Sequence, residues 1–153
     1  MWQSIKPGED FPVCRGIDFI EKSDKMTQKA RNRNSTASIQ FINRDFLQVS
    51  LTEVYGVIIC PFFLDCFKEQ NLELVISKLR EHSKKGGILI VTEFQKPTSF
   101  IVRLMHVFFR IASRLESKKL KNIDQFVQNE GFTMEQEKFF HRNMIFSRVY
   151  RNL

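Results

Sequence analysis

Hydrophobic and polar positions along this chain switch between a period of two and a period of about 3.6, and the switches mark its elements. Residues 16–21, Gly-Ile-Asp-Phe-Ile-Glu, form a short β-prone run closed by an acid. Residues 22–33 follow with helix formers behind Ser23, a residue suited to an N-cap. A second alternating run, residues 37–42, ends in the polar turn-like cluster Asn43-Arg44-Asp45. Residues 54–63 are almost continuously apolar and rich in Val, Ile and Phe, as a strand covered on both faces of a parallel sheet would be. Leu72, Leu74, Val75, Ile76 and Leu79 then recur at helical spacing within residues 68–84, and Lys84-Lys85-Gly86-Gly87 reads as the helix end. Residues 88–94 are the next apolar strand.

Strand and helix alternate up to residue 94, and parallel neighbours need long crossovers, so the pattern predicts an α/β fold with a mainly parallel sheet. Beyond it the rhythm changes. Residues 98–117 carry Phe100, Ile101, Leu104, Met105, Phe108, Ile111, Ala112 and Leu115 on one helical stripe, with Arg103, His106, Arg110 and Arg114 opposite. Residues 119–130 predict a shorter helix. Two β-prone runs, 132–140 and 144–150, flank His141-Arg142-Asn143 and predict an antiparallel hairpin at the sheet edge. No internal repeat or low-complexity linker interrupts the chain, and its 153 residues suit one domain, 1–153.

Composition removes alternatives. At 42% hydrophobic and 27% charged residues the chain is neither disordered nor a disulfide scaffold. Cys14, Cys60 and Cys66 are odd in number, lack C-x-x-C spacing and have no histidines beside them, so a zinc site is unsupported and a reducing, cytoplasmic setting is expected. No apolar run approaches the roughly 20 residues that span a bilayer. A net charge of +7 favours anionic partners, but it is spread along the chain without a nucleic-acid-binding motif, so no nucleic acid partner is expected.

Two acids stand where open α/β sheets place ligand contacts. Glu21 closes the first strand, where a carboxylate can accept from the two hydroxyls of a ribose; the competing reading is a helix N-terminal acid favoured by the macrodipole. Asp45 follows the second strand and could accept from an adenine amine, with Met26 and Phe46 as apolar walls; its competing reading is an Asx turn. Glu93 ends the strand 88–94 and either faces an acceptor pocket or anchors a loop. His82, His106 and His141 are expected to be solvated or half-buried rather than catalytic.

These residues carry a resemblance. The runs Ile17-Asp-Phe-Ile-Glu-Lys-Ser-Asp-Lys-Met26, Ile39-Gln-Phe-Ile-Asn-Arg-Asp45-Phe46, Val57-Ile-Ile-Cys-Pro-Phe-Phe-Leu-Asp-Cys-Phe67 and Lys85-Gly-Gly-Ile-Leu-Ile-Val-Thr-Glu-Phe94 resemble, in order and spacing over residues 16–150, the class I S-adenosylmethionine-dependent methyltransferases. The resemblance implies a Rossmann-like sheet with a reversed last strand and S-adenosylmethionine as cofactor. In it Glu21 would bind the ribose, Asp45, Phe46 and Met26 would border the adenine, and Ile59, Cys60 and Pro61 would line the floor beside the sulfonium. Phe62, Phe63 and Glu93 would face a small-molecule acceptor. Catalytic residues stay unassigned, because a bound sulfonium is already activated and alignment supplies most of the rate.

The chain departs from the family at its start. The family opens with a strand and a glycine-rich turn that lets backbone approach the cofactor. The fifteen residues before Gly16, with Pro7 and Pro12 among them, hold no such turn, and Gly56 stands where the family often has an acid. The missing strand would lie between the one ending at Glu21 and the one at residues 57–61. It is expected to be encoded upstream of Met1, followed by a glycine turn and a helix. Two functions of different class follow: a methyltransferase acting on a hydrophobic small molecule, or a shortened, non-catalytic methyltransferase-like binding or partner module. The basic face of residues 98–117 adds one expectation, a lip over the acceptor site that touches anionic membrane. Vesicles containing anionic lipid should retain the protein at low salt and release it as ionic strength rises; equal partitioning to neutral vesicles would return that helix to an ordinary wet face.

Overall fold

The computed structural model describes residues 16–33, 38–94, 123–141 and 143–153, in two compact units, Met1–Val49 and Ser50–Leu153. The predicted long helix at 98–117, with His106 and its arginines, lies outside the described residues.

In the first unit, β1 (Ile17–Ile20) and β2 (Ile39–Ile42) pair in parallel from Ile17 opposite Ile39 to Ile20 opposite Ile42. The connecting helix α1 (Asp24–Arg31) starts where the sequence predicts it: Ser23 is its N-cap, and its Oγ accepts from the Met26 N–H at 3.4 Å. That bond satisfies one of the amides a helix start leaves without an intrahelical partner. Phe19 and Phe41 meet across the two strands at 5.6 Å, and the Arg31 guanidinium lies over Phe41.

The second unit is a four-stranded sheet of order β3-β4-β6-β5. Parallel β3 (Tyr55–Pro61) and β4 (Ser83–Phe94) are joined by a 3-10 turn at Leu64–Cys66 and helix α2 (Glu69–Glu81). A short helix, α3 (Ile123–Asn129), leads through Gly131 to β5 (Phe132–Phe140) and β6 (Ile145–Asn152), and β6 runs antiparallel to both β4 and β5. The predicted closing hairpin is therefore present, with β5 on the outside. His141 and Asn143 adopt left-handed φ of 49° and 62° to make its turn. Register fixes the faces. Leu89, Val91 and Glu93 lie on the side shared with Ile58, Cys60, Tyr150 and Phe146, and that side is buried together with Leu72, Val75, Ile76 and Leu79 of α2 and Ile123 and Val127 of α3. Among the described residues no helix is long and apolar enough to cross a membrane.

Two expectations are corrected. Leu74, counted with the apolar stripe of α2, points outward and is 61% exposed, because the helix buries only the positions of its sheet-facing stripe. Lys84-Lys85-Gly86-Gly87 does not end the helix: α2 stops at Glu81 with His82 as its cap, and β4 already begins at Ser83. Pairing jumps from Tyr55–Ser83 to Val57–Ile88, so the intervening residues form an irregularity inside the strand. Gly86 supplies a φ of 74° there, and a Cβ on Gly87 would stand 2.7 Å from the Lys84 carbonyl oxygen. The expected α/β fold with parallel pairs and a closing antiparallel hairpin is present, its strands in two hydrogen-bonded groups, β1-β2 and β3-β4-β6-β5.

Gly87 and Gly56 give a paired test. Gly87→Ala should cost about 1–3 kcal/mol in chemical denaturation, whereas Gly56→Ala, with nothing within 4 Å of the new Cβ, should stay within about 0.5 kcal/mol of the parent. Equal effects would show that the irregularity does not depend on Gly87.

Candidate functional site

In the first unit the parallel pairing of β1 and β2 brings Glu21 and Asp45, as predicted, to the same end of the two strands. The link runs through side chains the sequence reading did not single out. Asn43 Nδ2 donates to the carbonyls of Glu21 (2.9 Å) and Lys22 (3.1 Å) and lies 3.3 Å from Thr27 Oγ1, so one amide pins the start of α1 to the end of β2. Lys22 Nζ meets Asp45 Oδ2 at 2.9 Å, an exposed ion pair worth little in stability that fixes where the carboxylate points.

Each acid also makes the bond of its competing reading. Glu21 Oε1 accepts from the Ser23 N–H at 2.7 Å, at the start of α1, and Oε2 has no partner among the described residues. Asp45 Oδ1 accepts from the Leu47 N–H at 3.0 Å, an Asx turn. Glu21 thus keeps one carboxylate oxygen for a diol, whereas both Asp45 oxygens are engaged and an adenine amine would have to share one. Phe46 is buried just after Asp45, and Met26 is 52% exposed on α1.

In the second unit the carboxyl ends of β3 and β4 hold the other candidates. Cys60 is buried, Ile59 and Pro61 are exposed, and the chain turns at Phe62 with a left-handed φ of 51°. Phe62 donates its N–H to the Thr92 carbonyl at 2.7 Å and stacks on Phe94 at 4.8 Å; Phe63 meets Phe67 edge-on at 4.9 Å. A non-glycine residue held at positive φ marks a loop fixed by its surroundings.

The fixing group is Glu93. It continues the buried row of Leu89 and Val91 by strand alternation and is fully buried. Its Oε1 accepts from the Leu64 N–H at 2.7 Å and, more weakly, from the Asp65 N–H at 3.4 Å, while Oε2 is buried without a partner. Burial, together with the nearby Asp65 carboxylate, pushes its carboxyl up to about 8 against the lowering pull of those two amides. The same burial, with Glu93 close by, pushes the Cys60 thiol up to about 12, which leaves it an inert core thiol. Asp65 went unremarked in the sequence because its partner lies 28 residues away.

Among the remaining candidates, His82 caps α2 with Nδ1 2.9 Å from the Glu53 carbonyl, and His141 is exposed in the hairpin turn. No group of metal-ligating side chains assembles among the described residues.

No protein-family description matches the chain, and no curated protein matches it in sequence. Solved structures do. The chain is similar to N-methyltransferase NodS of Bradyrhizobium japonicum WM9 in complex with S-adenosyl-L-homocysteine, with a TM-score of 0.63 at 12% identity over 90% of this chain and 76% of that one. A protein of Bacillus halodurans C-125 described as a methyltransferase gives 0.65 at 10% identity, over 90% and 83% of the two chains. LepI in complex with S-adenosylmethionine gives 0.66 at 10%, over 90% of this chain and 42% of that one. The chain has the mixed α/β fold of the class I methyltransferases.

A buried acid with a raised folded-state pKa gives stability that is complete below its ordinary value of 4.5 and is lost as pH rises through about 8. The melting temperature should therefore fall from pH 5 to pH 8.5. Glu93→Gln keeps an oxygen for Leu64 and a donor towards Asp65, and should flatten that fall and melt about 5 °C or more above the parent at pH 8.5. Glu93→Ala should lose about 1–3 kcal/mol at pH 5 by orphaning the Leu64 amide, a deficit that shrinks towards pH 8.5 because the parent's own slope is gone from the variant. A parental pH slope retained in Glu93→Gln would show that another group carries it.

Proposed function

We propose that this chain carries the adenosine contacts and the acceptor wall of an S-adenosylmethionine-dependent methyl transfer to a hydrophobic small molecule in a reducing, cytoplasmic setting. The observation that carries the reading is the pair of acids at the ends of adjacent parallel strands, Glu21 with an oxygen to spare and Asp45 beside it, on a class I methyltransferase fold. Glu21 accepts from the ribose hydroxyls. Asp45, with Phe46 and Met26, borders the adenine. In the second unit Ile59, Cys60 and Pro61 form the cofactor floor, and Phe62 and Phe63, in the loop that Glu93 anchors, form the wall against which an apolar acceptor packs.

When bound, the cofactor supplies a methyl group on a positively charged sulfur. The chain then has to hold the acceptor in line and exclude water. Glu93, fully buried with its oxygen on the loop amides, acts through Phe62 and Phe63 and is a positioning residue. For the adenosine half of the cofactor the residues fit. For the methionine half they do not, since the six glycines, at 8, 16, 56, 86, 87 and 131, include none two apart, and a glycine-rich turn that admits the cofactor needs that spacing. That misfit favours a second reading, a module that keeps the scaffold and binds without transferring.

Calorimetry separates the two. Adenosine contacts alone should give S-adenosylmethionine a dissociation constant on the order of 1 mM, abolished in Glu21→Ala. Affinity unchanged in Glu21→Ala would remove Glu21 from the site, and absence of any binding at millimolar cofactor would leave the non-catalytic reading.

A further inference from the structure

The passage from β1 into α1 turns on one peptide group, the one that joins Lys22 to Ser23, and its two ends are held from opposite sides. The Ser23 N–H donates to Glu21 Oε1 at 2.7 Å, and the Lys22 carbonyl accepts from Asn43 Nδ2 at 3.1 Å. A trans peptide is planar and points its N–H and C=O in opposite directions, so a bond at the oxygen fixes the direction in which the N–H is offered. Accepting at the carbonyl also polarises the group and strengthens its N–H as a donor. Asn43 thus reaches the Glu21 carboxylate through a single peptide group.

The rest of the Asn43 amide closes the same loop. Nδ2 donates to the Glu21 carbonyl at 2.9 Å and lies 3.3 Å from Thr27 Oγ1, and Thr27, buried on α1, donates that hydroxyl to the Ser23 carbonyl at 3.0 Å. An amide nitrogen has two hydrogens, so the two shorter contacts account for both and the contact with Thr27 is shared. The sheet delivers Asn43 to this place. Parallel pairing sets Ile20 opposite Ile42, the Glu21 N–H continues the ladder to the Ile42 carbonyl at 3.1 Å, and the next residue of the second strand falls beside the carbonyls of residues 21 and 22.

We propose that Asn43 is a positioning residue that makes the nucleoside site selective for ribose over 2′-deoxyribose, by holding the Lys22–Ser23 peptide so that Glu21 presents its second oxygen in one direction. The proposal rests on the reading of Glu21 as the acceptor for the ribose hydroxyls and adds the residue that orients it. A carboxylate oriented in advance meets a hydroxyl without an ordering cost, whereas one that must be ordered on binding gives back part of the bond. Releasing Asn43 therefore erodes the contribution of the hydroxyl and leaves the contacts to the base as they are.

NMR titration of the full chain with adenosine and with 2′-deoxyadenosine gives the ratio of their dissociation constants. The parent should favour adenosine about tenfold, the worth of one hydroxyl bonded to a carboxylate. Glu21→Ala should abolish that preference. Asn43→Ala should cut it to about threefold or less, by weakening adenosine while 2′-deoxyadenosine stays within about twofold of the parent. Asn43→Asp, equal in size but with no N–H to donate, should do the same, and it decides the question should the alanine variant not fold. Thr27→Val is the structural control: it removes a buried hydroxyl from the same loop, and should lower the melting temperature while keeping the preference for adenosine. A preference kept in both Asn43 variants while Glu21→Ala loses it, equal weakening of the two nucleosides, or loss of the preference in Thr27→Val as well would each overturn the proposal and leave Glu21 in its place. No preference in the parent, or one that survives Glu21→Ala, would overturn the reading of Glu21 and the proposal with it.

Discussion

A carboxyl group sits where the sheet demands an apolar one, and the carboxyl end of the second unit is organised around it. Strand alternation sends Glu93 into the row that Leu89 and Val91 begin, so the backbone of β4 leaves its side chain no exit to water. A buried carboxylate without partners costs several kcal/mol, and two responses keep that cost down here. The turn after β3 brings its Leu64 and Asp65 amides to Oε1, and the carboxyl holds its proton up to about pH 8. The 3-10 turn, the left-handed Phe62 and the Phe62–Phe94 contact are the geometry that delivers those amides. The site loop and the core are thus one construction.

The parity of β3 explains why its two sides differ. Ile58 and Cys60 take the inner side of the strand against a buried stripe, with their backbone groups towards β4, whereas Val57, Ile59 and Pro61 take the outer side and the open edge together. In a strand the side chains and the peptide groups alternate with the same period, and here the exposed face and the unpaired edge fall on the same residues. The same counting accounts for the apolar composition of residues 54–63, which suits a strand covered on both faces and paired on both edges.

What the sequence disclosed follows from how local each cause is. The strands of the parallel pairs and the Ser23 cap were legible because apolar runs and an N-cap serine act within a few residues. Glu21 and Asp45 could be placed on one edge because parallel strands end on the same side. Lys84-Lys85-Gly86-Gly87 misled because lysines and glycines suit a helix C-terminus and a strand irregularity equally; the arbiter is the pairing of Tyr55 with Ser83, a contact 28 residues long. Glu93 did carry a signal, an acid in phase with Leu89 and Val91, but the amides that receive it come from another element. Asn43 was invisible for the same reason, since its value lies in reaching back to Glu21 and Lys22.

The two kinds of acid also divide the chemistry. Glu21 lies at a strand end with one oxygen committed to the Ser23 amide and one open, so the local amide fixes the direction of the carboxylate and leaves an oxygen for a diol. Glu93 is the reverse, held neutral near pH 7 and sealed from solvent. A pKa near the working pH would suit a general base, but a base must reach the proton it takes, and Glu93 reaches only the turn that covers it. The burial that makes Glu93 unfit as a base makes it suitable as an anchor, since a neutral carboxyl holds the Leu64 and Asp65 amides without leaving an unpaired charge in the core.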